Sequence, residues 1–306
     1  MSFSPLWFGF CLAASIGITA LPPVTGERGG TVIPAHAGDR IEILARNGYD
    51  APDGLLWQPD GLYMADEGGG RLRKWTAKGT VELHPPNAQV QSPEDVVTDG
   101  AGNFYFTDDS TGGVFKRSAE GKLSQIAGPA QGLRSTEGIA ITPQGTLIVG
   151  DGELHTIFEI GPEGQVTQFA TGIRKPESMV FDEQGGLYVA DNEENVIYYL
   201  SDGKWRIVLK DPQISPETIV YTKGALLITD SRSGRLYRFV RGERPEVLLS
   251  LGGVMQKLQG VTVDDQGIIY LSVQSDLKHK KGYILRLDTA ARNHLQKLQT
   301  ELLPLN

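Results

Sequence analysis

The chain of 306 residues has one cysteine and five histidines, and each scarcity excludes something. A single thiol forms no internal disulfide, and Cys11 lies in the apolar stretch PLWFGFCLAASIGITAL, so the folded part has no thiol chemistry. The scattered histidines show no HxxxH spacing and meet no CxxC, which removes the ordinary zinc patterns. There is no GxSxG elbow and no GxxxxGK[ST] loop. The glycine-rich EGGGR at 67–71 lies between strand-like runs with no helix to follow, so it is not expected to cradle phosphate. No basic run interrupts a net charge of −8, and nucleic acid is not an expected partner.

Lys and Arg are also missing before Glu27, although the apolar N-terminal stretch has the length of a signal-peptide core. Ala35-His36-Ala37 fits the small-x-small cleavage pattern, with Gly38 as the new N-terminus, and cleavage after Ala20 is a second option. Residues 1–37 are therefore expected to be a signal peptide, and the protein to be periplasmic or secreted. The alternative is an uncleaved anchor over residues 5–24, the one case in which a membrane is a partner.

What the chain has in abundance is glycine, 38 residues spread as punctuation, and a repeat. APDGLLWQPDGLYMADEGGGRLRKW starts at 51, SPEDVVTDGAGNFYFTDD at 92 and STEGIAITPQGTLIVGDG at 135. KPESMVFDEQGGLYVADNEENVIYYL starts at 175, SPETIVYTKGALLITDSRSGRLYRF at 215 and the degenerate LQGVTVDDQGIIYLSV at 258. Each copy holds strand-like runs of Val, Ile, Tyr, Phe and Thr between Gly-containing turns. Four short strands (A to D) in about 40 residues make a propeller blade, and six copies predict an all-β, six-bladed β-propeller over residues 38–288.

The last copy lacks a D strand and runs into LDTAARNHLQKLQ. The missing strand stands at the other end, where GDRIEILARNGYDAPDG matches GKLSQIAGPAQGLRSTEG, so residues 40–46 should close the ring as the outer strand of the sixth blade. Residues 289–306 read as a tail to which no chemistry is assigned.

Antiparallel strands alternate direction, so the start of A and the end of B share one face. Five of the six A starts are acidic, Asp53, Glu94, Glu137, Glu177 and Glu217, and the sixth is Gln259. The A strand is innermost, so these residues should rim the central channel. Converging carboxylates repel unless they are protonated, paired or neutralised by a cation. Lys175 and Arg134 precede two of them, too few to neutralise all. A hard divalent cation with oxygen ligands suits the rest, Ca²⁺ first, with Mg²⁺, Mn²⁺ or Zn²⁺ as options. The structural alternative is that these acids accept hydrogen bonds from a neighbouring blade's backbone. For Asp66, Asp108, Asp151, Asp191 and Asp230 at the B ends, the following turn-formers favour a structural role. His155, in the B–C loop of the third blade, is either a catalytic base at the channel mouth or merely exposed.

PESMVFDEQGGLYVADNEENVIYYL resembles an NHL-type repeat, and DGLLWQPDGLYMADEGGGRLRKW resembles the opening blade of the senescence-marker-protein/gluconolactonase family. The resemblance implies a six-bladed propeller and a divalent-metal-dependent hydrolase acting on lactones or related esters. It implies metal ligands at Asp53, Glu137, Glu177 and Glu217, with Glu217 doubling as the general base that activates water. The chain departs from that pattern: Asp replaces Glu in blade one, Glu replaces Asn in blades three and four, and Glu replaces Asp in blade five. The family's substrate-gripping Arg is out of register, since Arg134 lies three residues before Glu137. The expected partner is a small lactone-like substrate. The rival reading is a non-catalytic extracytoplasmic NHL-type scaffold holding a protein or small ligand on its top face, and a lyase or synthase on the same fold is a third.

Overall fold

The computed structural model describes residues 24–25, 31–34, 39–252, 257–276 and 281–289. They form six antiparallel sheets around an axis, the all-β propeller expected from the repeat. Blade four shows how closely sequence and strand agree: its strands are Pro176–Phe181, Leu187–Asp191, Val196–Ser201 and Lys204–Lys210. The alternation of β-branched and aromatic residues places one side of each strand against each neighbouring blade. B strands are mostly buried, Leu187–Asp191 along its whole length, whereas D strands such as Gly79–His84 face solvent along most of theirs. Among the described residues no helix is long and apolar enough to cross a membrane.

No single core holds the ring. Six apolar clusters each join two consecutive blades. Leu72 of blade one packs with Phe104, Phe106 and Phe115 of blade two, and Tyr49 and Ile284 of blade six pack with Leu55, Leu62 and Met64 of blade one. Phe106, Val149, Ile197 and Leu236 are fully buried, each worth about 1.5–3 kcal/mol of transfer free energy. A blade is stable because both its faces are covered, which only closure achieves.

Closure is made as the sequence suggests. Arg40–Tyr49 pairs antiparallel with Lys281–Asp288, Asp288 opposite Arg40 and Gly282 opposite Tyr49. The strand runs three residues beyond the expected 40–46 because Tyr49 is an anchor: it is buried, and its hydroxyl meets Thr80 Oγ1 at 2.8 Å in blade one. Of the segment read as a leader or anchor, only Val24–Thr25 and Thr31–Pro34 are described. Thr31–Pro34 pairs with Glu246–Gly252, adding to the outer edge of blade five. The tail beyond Thr289 lies outside the described residues.

The B-end aspartates are structural. Asp108 is fully buried; its Oδ2 accepts the Gln91 and Ser92 amides (2.7 and 2.9 Å) and its Oδ1 the Thr111 amide (2.9 Å). Asp151 and Asp191 repeat the pattern, and Asp230 accepts the Arg232 and Ser233 amides of its own turn. Asp108, Asp151 and Asp191 therefore tie the segment leading into A to the turn leaving B, fixing what stands on the top face.

Candidate functional site

The axis is tight because inner strands approach backbone to backbone. A Cβ on Gly260 would meet the Asp53 carbonyl oxygen at 2.2 Å, and one on Gly54 the Glu94 carbonyl oxygen at 2.5 Å. Hydroxyls from B strands then lock the first ring in place. Ser272 Oγ donates to the Asp53 carbonyl (2.7 Å), Thr107 Oγ1 to that of Glu137 and Thr229 Oγ1 to that of Gln259. The A-start side chains are thus delivered to the axis by a rigid frame.

Of the expected residues, Asp53, Glu94, Glu177 and Glu217 come together around one axial cavity, with Asp95 and Thr218 completing its wall. Its free volume is only about 10 Å³, room for one water. Gln259 stands beside it and donates Nε2–H to Asp53 Oδ2 at 2.9 Å. Glu137 is held outside the wall, where Ser135 Oγ reaches its Oε1 at 3.2 Å. Lys175 sits between two acids, with Nζ 2.9 Å from Glu177 Oε2 and 3.6 Å from Glu137 Oε1. Arg134 is exposed and His155 turns its Nδ1 to the Arg174 carbonyl; neither lines the cavity.

A second ring went unread in the sequence. The residue after each B-end aspartate also faces the axis: Glu67, Asp109, Gly152, Asn192 and Ser231, with Gln274 at the matching place in blade six. Ser231 Oγ donates to Glu217 Oε2 at 2.6 Å and Asn192 Nδ2 to the same oxygen at 3.2 Å. Gln274 donates to Glu67 Oε2 at 3.2 Å. A Cβ on Gly152 would lie 2.8 Å from Glu137 Oε1, so glycine there makes room for the Glu137–Lys175 pair. The signal was available: in five of the six copies the position follows the B-end aspartate, yet its side chain changes in every copy.

The charges are unevenly answered. Burial, then Glu217 and Glu67, push Asp53 well above the ordinary carboxylate range. Burial, then Asp53 and Glu67, do the same to Glu94. Burial and Glu217 raise Glu177 against the opposing pull of Lys175, and burial raises Glu137 likewise. Burial lifts Asp95 to about 6. Burial alone would lower Lys175, but Glu177 and Glu137 outweigh it and keep its ammonium firmly charged. The fixed cation Lys175 therefore serves the blade three and four side.

Among the described residues no three His, Cys, Asp or Glu side chains stand ready as a metal cage. The donor chemistry nonetheless suits a hard cation on the Asp53, Glu94 and Glu217 side. The wall is all oxygen and its charge exceeds what Lys175 answers. Glu177 Oε2 and Gln259 Oε1 are buried without a hydrogen bond, Lys175 lying close to the former but off alignment. Between Glu137 and Glu177 the ammonium already fills that role, which splits the four-ligand set expected from sequence.

A closed six-bladed propeller with a polar axial site on one face is the class that fold and site define. No protein-family model matches the chain. Over 127 residues, 41% of its length, it is 31% identical to the virginiamycin B lyase of Nocardia farcinica, of which that stretch spans 43%. In structure it is similar to a gluconolactonase from Xanthomonas campestris, with a TM-score of 0.68 at 17% identity, covering 88% of this chain and 98% of that one. It is similar also to a catalytically inactive histidine-to-alanine virginiamycin B lyase from Staphylococcus aureus with quinupristin, with a TM-score of 0.62 at 14% identity, covering 81% and 99%. At these identities the structural likeness establishes the shared six-bladed fold, and the proteins sharing it include lactone hydrolases and lyases.

Proposed function

We propose that the protein is a hydrolase- or lyase-type propeller enzyme acting on a small lactone or ester at the axial cluster, with Glu217 as its base. One observation carries this reading. Glu217 is buried with one carboxylate oxygen pinned by Ser231 and Asn192, while Oε1 takes no hydrogen bond among the described residues and the side chain lines the cavity. A carboxylate held by one oxygen and free at the other is oriented to remove a proton from water or from a substrate carbon. Lys175 supplies a fixed positive charge near developing negative charge, and Gln259 a donor that orients Asp53. A divalent cation held by Asp53, Glu94 and Glu217 would polarise the substrate carbonyl when bound. The small molecule quinupristin held by one structural neighbour and the gluconolactonase activity in the name of another support this choice of substrate.

The small axial volume favours a second reading, a non-catalytic binding scaffold whose acid ring is structural. Exported location, by either signal cleavage or a retained anchor, is part of both proposals. The experiment is turnover of a panel of lactones and aryl esters with added Ca²⁺, Mg²⁺, Mn²⁺ or Zn²⁺, alongside metal content before and after chelation. Turnover lost in Glu217→Gln with unchanged melting supports the enzyme. No turnover of any panel member, with no melting shift on adding any cation, leaves the scaffold.

A further inference from the structure

Four blades carry one polar device on the face opposite the carboxylate ring. In blade one the A–B turn residue Asp60 accepts from Tyr63 Oη (3.0 Å) and Lys74 Nζ (2.5 Å), and Lys74 lies 5.0 Å from the Tyr63 ring centre. Tyr63 and Lys74 are cross-strand partners. Blade two repeats this with Asp99, Tyr105 (3.3 Å) and Lys116 opposite it. Blade six does so with Asp264, Tyr270 (3.1 Å) and Arg286 opposite it. In blade four Asp182 takes the hydroxyl of Tyr199 (2.7 Å), the cross-strand partner of Tyr188, beneath Arg241.

Blade five keeps the cation and omits the rest. Its turn is the short Thr222-Lys223-Gly224-Ala225, with Lys223 at φ 48 and no aspartate. The tyrosine position is Leu227, and directly across from it stands Arg238. A pocket of about 230 Å³ lies between blades five and six, where that ring and carboxylate are absent. Leu227, Leu248 and Ile269 supply apolar walls, Lys223 and Arg238 the charge, and among the described residues no Asp or Glu lines it. Lys223 reaches across the opening: a Cβ on Gly267 of blade six would be 3.2 Å from its Nζ. Neither cation makes a hydrogen bond or ion pair among the described residues. The exposed Glu246 opposes Arg238 on the outer strand.

We propose that this pocket binds a small aromatic monocarboxylate, its ring replacing the absent tyrosine and its carboxylate the absent turn aspartate. Arg238 offers a planar donor fork to the carboxylate and Lys223 a second charge at the mouth. The apolar walls select a ring over a bare anion such as phosphate. This site is separate from the axial cluster and does not depend on what that cluster does.

The test is titration of the full chain with benzoate and 4-hydroxybenzoate by ligand-observed NMR, with acetate, benzamide and phosphate as controls. Benzoate is expected to bind about tenfold or more tightly than any control. Arg238→Gln should weaken benzoate about ten- to hundredfold. Leu227→Tyr restores the side chain of the other blades, so it should abolish binding while keeping or raising the melting temperature. Absence of benzoate binding to the wild type overturns the proposal, even if the chain's own residues fill the pocket. So does equal affinity for acetate, or binding undiminished by Leu227→Tyr.

Discussion

Asp95 is a carboxylate whose cost can be read directly. It follows Glu94 on the inner strand of blade two, lines the axial cavity, and accepts amides from Val96 (2.8 Å, Oδ1) and Ile139 of blade three (3.4 Å, Oδ2). These bonds do not offset its burial, which holds its pKa near 6 against the ordinary 3.8. A carboxyl whose folded pKa exceeds its unfolded value binds more protons when folded, so stability falls as pH rises between the two and stays low above them. The difference amounts to about 3 kcal/mol. Asp95→Asn removes the charge, keeps one acceptor and weakens one hydrogen bond at every pH. Urea unfolding of wild type and variant at pH 4 and pH 7.5 separates the two effects. Relative to wild type, the variant should gain about 2.4 kcal/mol on going from pH 4 to 7.5, or about 5–10 °C in melting temperature for a domain of this size. Wild type should itself lose stability over that window at this site. A variant whose deficit is the same at both pH values would refute the reasoning, because the carboxylate would then be adequately solvated or paired.

Three further outcomes follow from the frame of the site. Lys175→Met leaves Glu137 and Glu177 without their cation and should cost about 2–3 kcal/mol at pH 7, recovered in large part by adding Glu177→Gln, which a double-mutant cycle in urea would measure. Asp230→Ala removes a fully buried carboxylate and leaves the Arg232 and Ser233 amides of a partly exposed turn without their acceptor, so urea unfolding should record a loss of about 1–3 kcal/mol. Gly260→Ala drives a methyl into the Asp53 carbonyl and Ser272 hydroxyl at the blade six–blade one seam, so calorimetry should record a loss of about 2–3 kcal/mol.

How much of this was legible beforehand differs between architecture and site. Strand boundaries and closure were readable because each is written as a local pattern: alternation, a Gly turn, an Asp at the end of B. The convergence of the A-start acids was readable for the same reason, since the repeat places equivalent residues around a common axis. Which of them meet was not. Glu137 leaves the cavity because Ser135 and Lys175 draw it aside, and Glu217 gains its orientation from Asn192 and Ser231 of the second ring. Those partners differ in type from copy to copy, so a search for sameness passes over them. The width of the channel was also hidden, because it rests on backbone approach at Gly54 and Gly260. Blade five's pocket is the converse: the departure from the repeat was in plain sight, but only the cross-strand register made its meaning clear.

The pairing of Arg40–Tyr49 with Lys281–Asp288 has a consequence for the timing of folding. Five blades can each form as their four strands are made, from local hairpins. The sixth must hold its first-made strand idle until nearly the whole chain exists, and for a loop of a few hundred residues that reunion costs roughly 5 kcal/mol of chain entropy. Until then the faces of blades one and five that the sixth blade covers stay bare, so the last hairpin to emerge decides whether the preceding five become a ring or an aggregating arc. A circularly permuted chain, its native ends joined and reopened at a solvent-facing turn between other blades, would move that vulnerable seam elsewhere without removing it. The seam is a property of making a circle from a line.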